Sequence, residues 1–521
     1  MLLLLFAAGL VAVRLMISRA EPILRARVIE TLSARFKSKV ELTTFHVSVA
    51  NGLRVSGGGL KIFGATDPNR QEPGIQPLIG VGEFHFETGI PNLFRSPMHI
   101  DAVYVKGLEL NIPPKETRKE MTSMGSHSKL KIFVDKFVCE DTKLVVNTLK
   151  PGKMPLEFDI GDLKMKDIGP GQPMHFDATL VNPKPVGDIK SSGLFGPFRE
   201  DSPRESPVQG DYSFDNADLG TIKGIGGILS STGKYEGTLG NIVVDGKTDT
   251  PDFRLASSGH PVALHTEFHA VVDGTSGDTY LQPVDATLLH SSFTARGSVV
   301  RVKDPNGHDI ELDVDIQHAR IEDLLTLGVR ALPPIMTGPV TMKTSLSLPP
   351  GDPDVVNRLK LNGKFHVPNA HFSNDQLQGK LDSLSLRSQG KPKLAQEHVE
   401  QNVPTDLQGS FILNHGRLSL PFLHFLIPGT HIDMKGDYTL DGENLNFTGT
   451  ARLDATVSHM VTGWKSVLLK PVDPFFRKNG VGTEVPIKVT GTRSEPHFSL
   501  DFHHKDQGRN VNKSDPAENS D

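Results

Sequence analysis

The run LNFTGTARLDATVS (445–458) alternates without a break. Leu445, Phe447, Gly449, Ala451, Leu453, Ala455 and Val457 are apolar or small, while Asn446, Thr448, Thr450, Arg452, Asp454, Thr456 and Ser458 are polar. Successive side chains on an extended chain point to opposite faces, so this period of two predicts a strand with one apolar and one wet face. Fourteen residues at roughly 3.3 Å each would span about 46 Å, against about 5–6 residues for a typical strand. Such a length suits a long, curved sheet with a continuous apolar face better than a compact sandwich.

The pattern recurs at Leu359, Leu361, Phe365 and Val367, at Ile432, Met434, Tyr438 and Leu440, at Val485, Ile487 and Val489, and at Phe498, Leu500 and Phe502. Near the N-terminus, LRVSGGGLKIFG (53–64), EFHFE (83–87), GLELNI (107–112) and LKIFV (130–134) read as further strands. Pro22 opens an amphipathic helix with Leu24, Val28, Leu32 and Phe36 on one side. Short helices are predicted at 217–229, 321–331, 352–358 and 459–469. Residues 115–128 are polar and read as a loop. The stretch 182–210, rich in Pro, Gly and Ser and containing REDSPRE, reads as a boundary or a long surface insertion. Residues 503–521 are polar without periodicity, the signature of a disordered tail. Helices do not alternate with strands, so the predicted class is mainly β: a long, curved, largely antiparallel sheet with a few short helices.

Residues 2–17, LLLLFAAGLVAVRLMI, are apolar except for Arg14. They predict an uncleaved transmembrane anchor over 1–20, slightly short of the usual 20 residues or so, with Arg14 able to snorkel. The rival, a cleavable signal peptide, lacks its basic leader here. Arg14, Arg19, Arg25 and Arg27 all follow the apolar start, which by themselves favour the opposite topology.

Composition narrows the picture further. A net charge of −5 argues against a nucleic-acid partner. The 27 Phe against 5 Tyr and 1 Trp make the aromatic surface mostly free of polar handles, as suits either a hydrocarbon lining or an ordinary core. Cys139 is the single cysteine, so no intrachain disulfide and no C-x-x-C site can form.

Candidate chemistry is sparse. His265, Glu267 and His269 share one face of a predicted strand, and with Asp273 or His290 they could ligate zinc; the plainer reading is the wet face of a one-sided sheet. His503 and His504 carry the same two readings. Gly224, Gly226 and Gly227 lack the rest of a phosphate loop and read as turn glycines. Neither a G-x-S-x-G elbow nor an H-E-x-x-H helix occurs, and no paired carboxylates fall on a recognisable cleft, so no enzyme, catalytic residue or cofactor is expected. The apolar strand faces remain the strongest signal. Alternation alone favours the closed core of a sandwich or barrel over an open groove.

The order of segments separates these readings. Residues 22–62 (PILRARVIETLSARFKSKVELTTFHVSVANGLRVSGGGLKI) and 84–112 (FHFETGIPNLFRSPMHIDAVYVKGLELNI), with Ile100, Val103, Val105 and Gly107, resemble the N-terminal module of the AsmA-like family of envelope proteins. Residues 409–453 and 462–502 resemble the AsmA-like C-terminal region. The middle, about 115–354, matches only in its strand-rich character. The resemblance implies an N-terminal module at 21–114, a central β-rich region at 115–354 that includes the 182–210 insertion, and a C-terminal β region at 355–502. It implies a single-pass bacterial inner-membrane anchor, a periplasmic body built as an elongated β-groove, and membrane lipids as partners, with other envelope proteins as further candidates. The expected function is shielding acyl chains and assisting glycerophospholipid transport or outer-membrane homeostasis. Ile432, Met434, Leu445, Phe447, Leu453 and Val457 are the expected lipid lining. The rival is a β scaffold that aids outer-membrane protein assembly without binding lipid. About 25 strands at roughly 4.8 Å would reach only about 120 Å, short of a bridge between membranes, so a partner, an oligomer or a shuttling role is implied.

Overall fold

The computed structural model describes residues 21–34, 38–49, 52–63, 77–95, 98–112, 132–147, 155–199, 202–303, 307–330, 332–397, 401–440, 444–460, 482–492 and 495–500. They form one long mixed sheet with few helices. From Ile132–Val146 to Pro496–Leu500 almost every long strand pairs antiparallel with the next in sequence. The exception lies near the N-terminus, where Met98–Ile112 and Ile132–Val146 run parallel. The sheet does not close on itself: among the described residues Thr44–Ser48 pairs only with Leu53–Ile62, and Pro496–Leu500 only with Thr483–Thr492.

Register gives the sheet two unlike faces. One row passes from Tyr212 through Gly233, Gly246, Phe268, Val284, Ala295 and Val314 to Thr344. The next row on the opposite face passes through Lys247, Glu267, Asp285, Thr294, Asp315 and Lys343. The well-buried residues Ala270, Ala286, Ala295, Ile316, Val340 and Val367 all share the face of the first row. Rings lie across glycines of the neighbouring strand there. A β-carbon on Gly246 would stand 2.6 Å from the Tyr212 hydroxyl and 2.7 Å from the Phe268 ring, and one on Gly436 would stand 2.6 Å from the Phe447 ring. The missing side chains let the rings lie flat, covering exposed backbone with apolar area.

Several expected elements change form. The strand predicted over 445–458 is Asn444–Leu453. Leu453 faces Thr430, the first residue of the neighbouring strand, so the ladder has no further partner; the Asp454 and Ala455 N–H groups donate instead to Gly429 O at 3.0 Å and Ser388 O at 2.8 Å. A 3₁₀ turn, Val457–Met460, follows, and the rest of the helix expected to 469 lies outside the described residues. The helix predicted at 217–229 is a strand end, a 3₁₀ turn at Leu219–Thr221 and the start of Ile228–Thr238. Its glycines disfavour a helix, and the Asp218 carboxylate accepts the Gly220 N–H at 2.8 Å. The 182–210 stretch is no insertion: Val186–Phe195 is a strand paired on both sides, and Pro207–Asp218 is the next.

The helix expected at 321–331 is Ile321–Gly328, the one expected at 352–358 starts later as Val355–Arg358, and residues 21–34 are helical with Leu24 exposed and Val28 and Leu32 half-buried. Two helices, Asp375–Ser388 and Pro392–Gln396, were not foreseen. The proposed anchor at 1–20, the loop at 115–128 and the tail at 503–521, with His503 and His504, lie outside the described residues. Among those described, no helix is long and apolar enough to cross a membrane.

Candidate functional site

The apolar face opens into a cavity of about 730 Å³ at the C-terminal end of the sheet. That volume is within the range of roughly 300–1,000 Å³ typical of small-molecule sites. Its floor is laid by four adjacent strands, Arg417–Ile427, Thr430–Thr439, Asn444–Leu453 and Thr483–Thr492, and includes Phe425, Ile432, Met434, Phe447 and Ile487. One wall is the helix Asp375–Ser388, which contributes Leu377, Leu381 and Leu384. These stand at i, i+4 and i+7 and so form one stripe.

The helix is inside out. Its leucine stripe is only half-buried, whereas Gln378, Asp382, Ser385 and Ser388 are buried against the protein. Each buried polar group has its partners. The Asp382 carboxylate accepts N–H bonds from Gln401, Asn402 and Val403 at 2.9, 3.0 and 2.9 Å, and one from the Gln378 amide at 3.1 Å. Burial pushes the Asp382 pKa up, but these donors outweigh it and hold the carboxyl below its ordinary value. Ser385 donates to Pro428 O at 2.8 Å, and Thr430 donates to the Ser388 hydroxyl, also at 2.8 Å. Arg387 donates to Met460 O at 3.1 Å. Asn374 caps the start, accepting the Leu377 N–H at 3.0 Å. The helix is therefore bolted down through these polar atoms and the fully buried Leu386, and Leu377, Leu381 and Leu384 are left facing the cavity. Such a lining offers solvation for hydrocarbon.

Of the expected lining residues, Ile432, Met434, Phe447 and Leu453 meet in this cavity. Leu445 lies further along the strand, between Tyr438 and Gly491, and is not part of it. Val457 falls in the 3₁₀ turn beyond the strand. Phe372, Leu423 and Phe425 are additions from strands, and the leucine stripe is one that strand periodicity could not supply. The available signal was Asn374 as a helix cap before three leucines at helical spacing, with Pro392 beyond.

The histidine cluster is dispersed into cross-strand pairs. His265 Nδ1 lies 2.7 Å from Asp249 and His269 Nδ1 lies 2.8 Å from Asp245, both on the preceding strand, while Glu267 faces Lys247. Asp273 is held by Arg204 at 2.7 Å, and His290 stands 3.7 Å from Asp323. Among the described residues, no group of three or more such side chains is placed to hold a metal ion. No family model, curated protein or solved structure matches the chain.

Proposed function

We propose that this chain shields lipid acyl chains in an apolar trough formed by the curved inner face of its sheet. From a single-pass anchor in the bacterial inner membrane, its periplasmic body assists the transport or homeostasis of envelope glycerophospholipids. The observation that carries this reading is the inverted helix. Burying Asp382, Gln378, Ser385 and Ser388 while Leu377, Leu381 and Leu384 face a cavity is a costly way to build a core. It is a sound way to keep hydrocarbon-solvating surface accessible. Each methylene moved from water into the trough contributes about 0.8 kcal/mol, so passive partitioning suffices to hold a chain, and the energy for directional movement comes from elsewhere. The resemblance of both ends to AsmA-like envelope proteins supports the same reading.

Native mass spectrometry of the full chain, with the extracted lipid quantified, tests it. Phospholipid should co-purify, and Phe447→Glu should abolish it while the β circular-dichroism signal persists. Thr448→Glu places its charge between Lys435 and Lys488 on the opposite face and should leave lipid in place. Lipid absent from the unaltered chain, or lost equally from both variants, would overturn the reading in favour of a scaffold that binds no lipid.

A further inference from the structure

The glycine run at 224–227 belongs to a contact between opposite rims of the sheet. Lys223 and Gly224 lie in the connection that follows Pro207–Asp218, and Asp352 and Val355 in the connection that follows Pro339–Leu348. Antiparallel succession makes these two strands run in opposite directions, so their C-terminal ends stand on opposite rims. The two connections nevertheless touch. The Val355 N–H donates to Lys223 O at 3.2 Å, and Lys223 Nζ donates to Asp352 O at 3.1 Å. A β-carbon on Gly224 would sit 2.8 Å from Val355 N and 3.1 Å from its Cβ, and the φ of +98° also suits glycine there. Val355 is 9% exposed although the residues just before it are open to solvent. Rims can meet in this way only if the intervening strands curl, and their buried alanines place the apolar face inside the curl.

Both arms are ordered by bonds of their own. Gly224 O accepts the Ala256 N–H at 2.9 Å. Opposite, Arg358 donates to Pro349 O at 2.5 Å and Pro353 O at 2.8 Å, and Asp354 accepts the Asn357 N–H at 3.0 Å. The junction itself is slight: two hydrogen bonds and one side-chain contact, with no strand ladder between the rims among the described residues. An element made of two rigid arms and a weak joint can part without unfolding either arm.

We propose that this contact is a clasp across the open side of the central trough. The proposal rests on the trough reading. Closed, the clasp makes acyl chains pass the central stretch lengthwise; open, it admits or releases them sideways. The test uses the full chain mixed with phosphatidylethanolamine–phosphatidylglycerol vesicles carrying a diazirine-bearing phospholipid, with labelled residues mapped by mass spectrometry. Lys223→Cys with Asp352→Cys is joined by a short bis-methanethiosulfonate linker that reductant removes; Cys139, with 0% exposure, does not compete. Locking should slow labelling at Tyr235 and Phe268 about tenfold, reductant should restore it, and Met434 should be unaffected. Lys223→Asp, which removes a charge-assisted hydrogen bond and repels Asp352, should speed central labelling about tenfold. Central labelling unchanged by the lock while Met434 is labelled would overturn the clasp and leave the trough standing. No labelling at any position in any form would overturn both.

Discussion

The central and C-terminal strands present the same apolar face in two different ways. In the centre the face carries polar handles: Tyr235 and Ser191 share a hydrogen bond at 2.6 Å, Tyr212 and Ser231 one at 3.1 Å, and Thr248 and Thr266 one at 2.7 Å. Burial pushes both phenols above their ordinary pKa, so each stays protonated beside its serine. The large hollow of about 1170 Å³ in this stretch is bordered by Asp211, Lys234, Asp245, Lys247 and Glu267 of the wet face. At the C-terminal end the floor is aliphatic or phenyl, and a helix holds three leucines over a smaller space. The same face thus has two linings, rich in hydroxyls in the centre and nearly all apolar at the C-terminal end. On the proposed function, hydrocarbon is held at the C-terminal stretch and passes along the centre.

The largest test of this contrast places the same charge in both regions. Leu381→Glu should remove nearly all co-purifying lipid, whereas Tyr235→Glu should lower it only in part; equal losses would erase the distinction. Next in size is the fastening of the helix. Asp382→Ala strands three N–H donors and should destabilise the helix Asp375–Ser388 by about 2–3 kcal/mol. Hydrogen exchange should report this in the helix and at 401–403, with the strands from Ile228 to Val302 unchanged. Because the folded Asp382 pKa is depressed, its contribution is full above the unfolded carboxylate value of about 3.9 and is lost as pH falls through the folded value. Acid should therefore loosen the C-terminal wall, and Asp382→Asn should flatten that dependence. The smallest effect is expected at Gly379, mid-helix with open space around it. Gly379→Ala should stabilise the wall by about 0.5–1 kcal/mol, seen as slower exchange in the same peptide.

The β class and most strand positions were legible because one-sided strands write a period of two directly into the sequence. The 445–458 run shows the limit of that signal. Alternation specifies which face a residue takes, but a strand ends where its neighbour's register ends, at Thr430, and that is a property of another segment. The inverted helix was illegible for a related reason. Amphipathic patterns are read on the premise that apolar residues are buried, and here Asp382, Gln378 and Ser385 occupy that side. The glycines at 224–227 were visible, but the partner that explains Gly224, Val355, is supplied by the curl of the whole sheet.

Nearly every strand after Ile132 leans only on its sequence neighbours, which gives the molecule the economy of a zipper. Such a chain can be extended, shortened or assembled one hairpin at a time, since each new pair of strands needs only the edge already present. Adding or removing strands in twos returns the chain to the same rim with the same face inward. The reach of the protein is then a nearly continuous quantity that hairpin duplication could adjust, while the parallel pair Met98–Ile112 and Ile132–Val146 marks a place where growth by single hairpins could not have occurred.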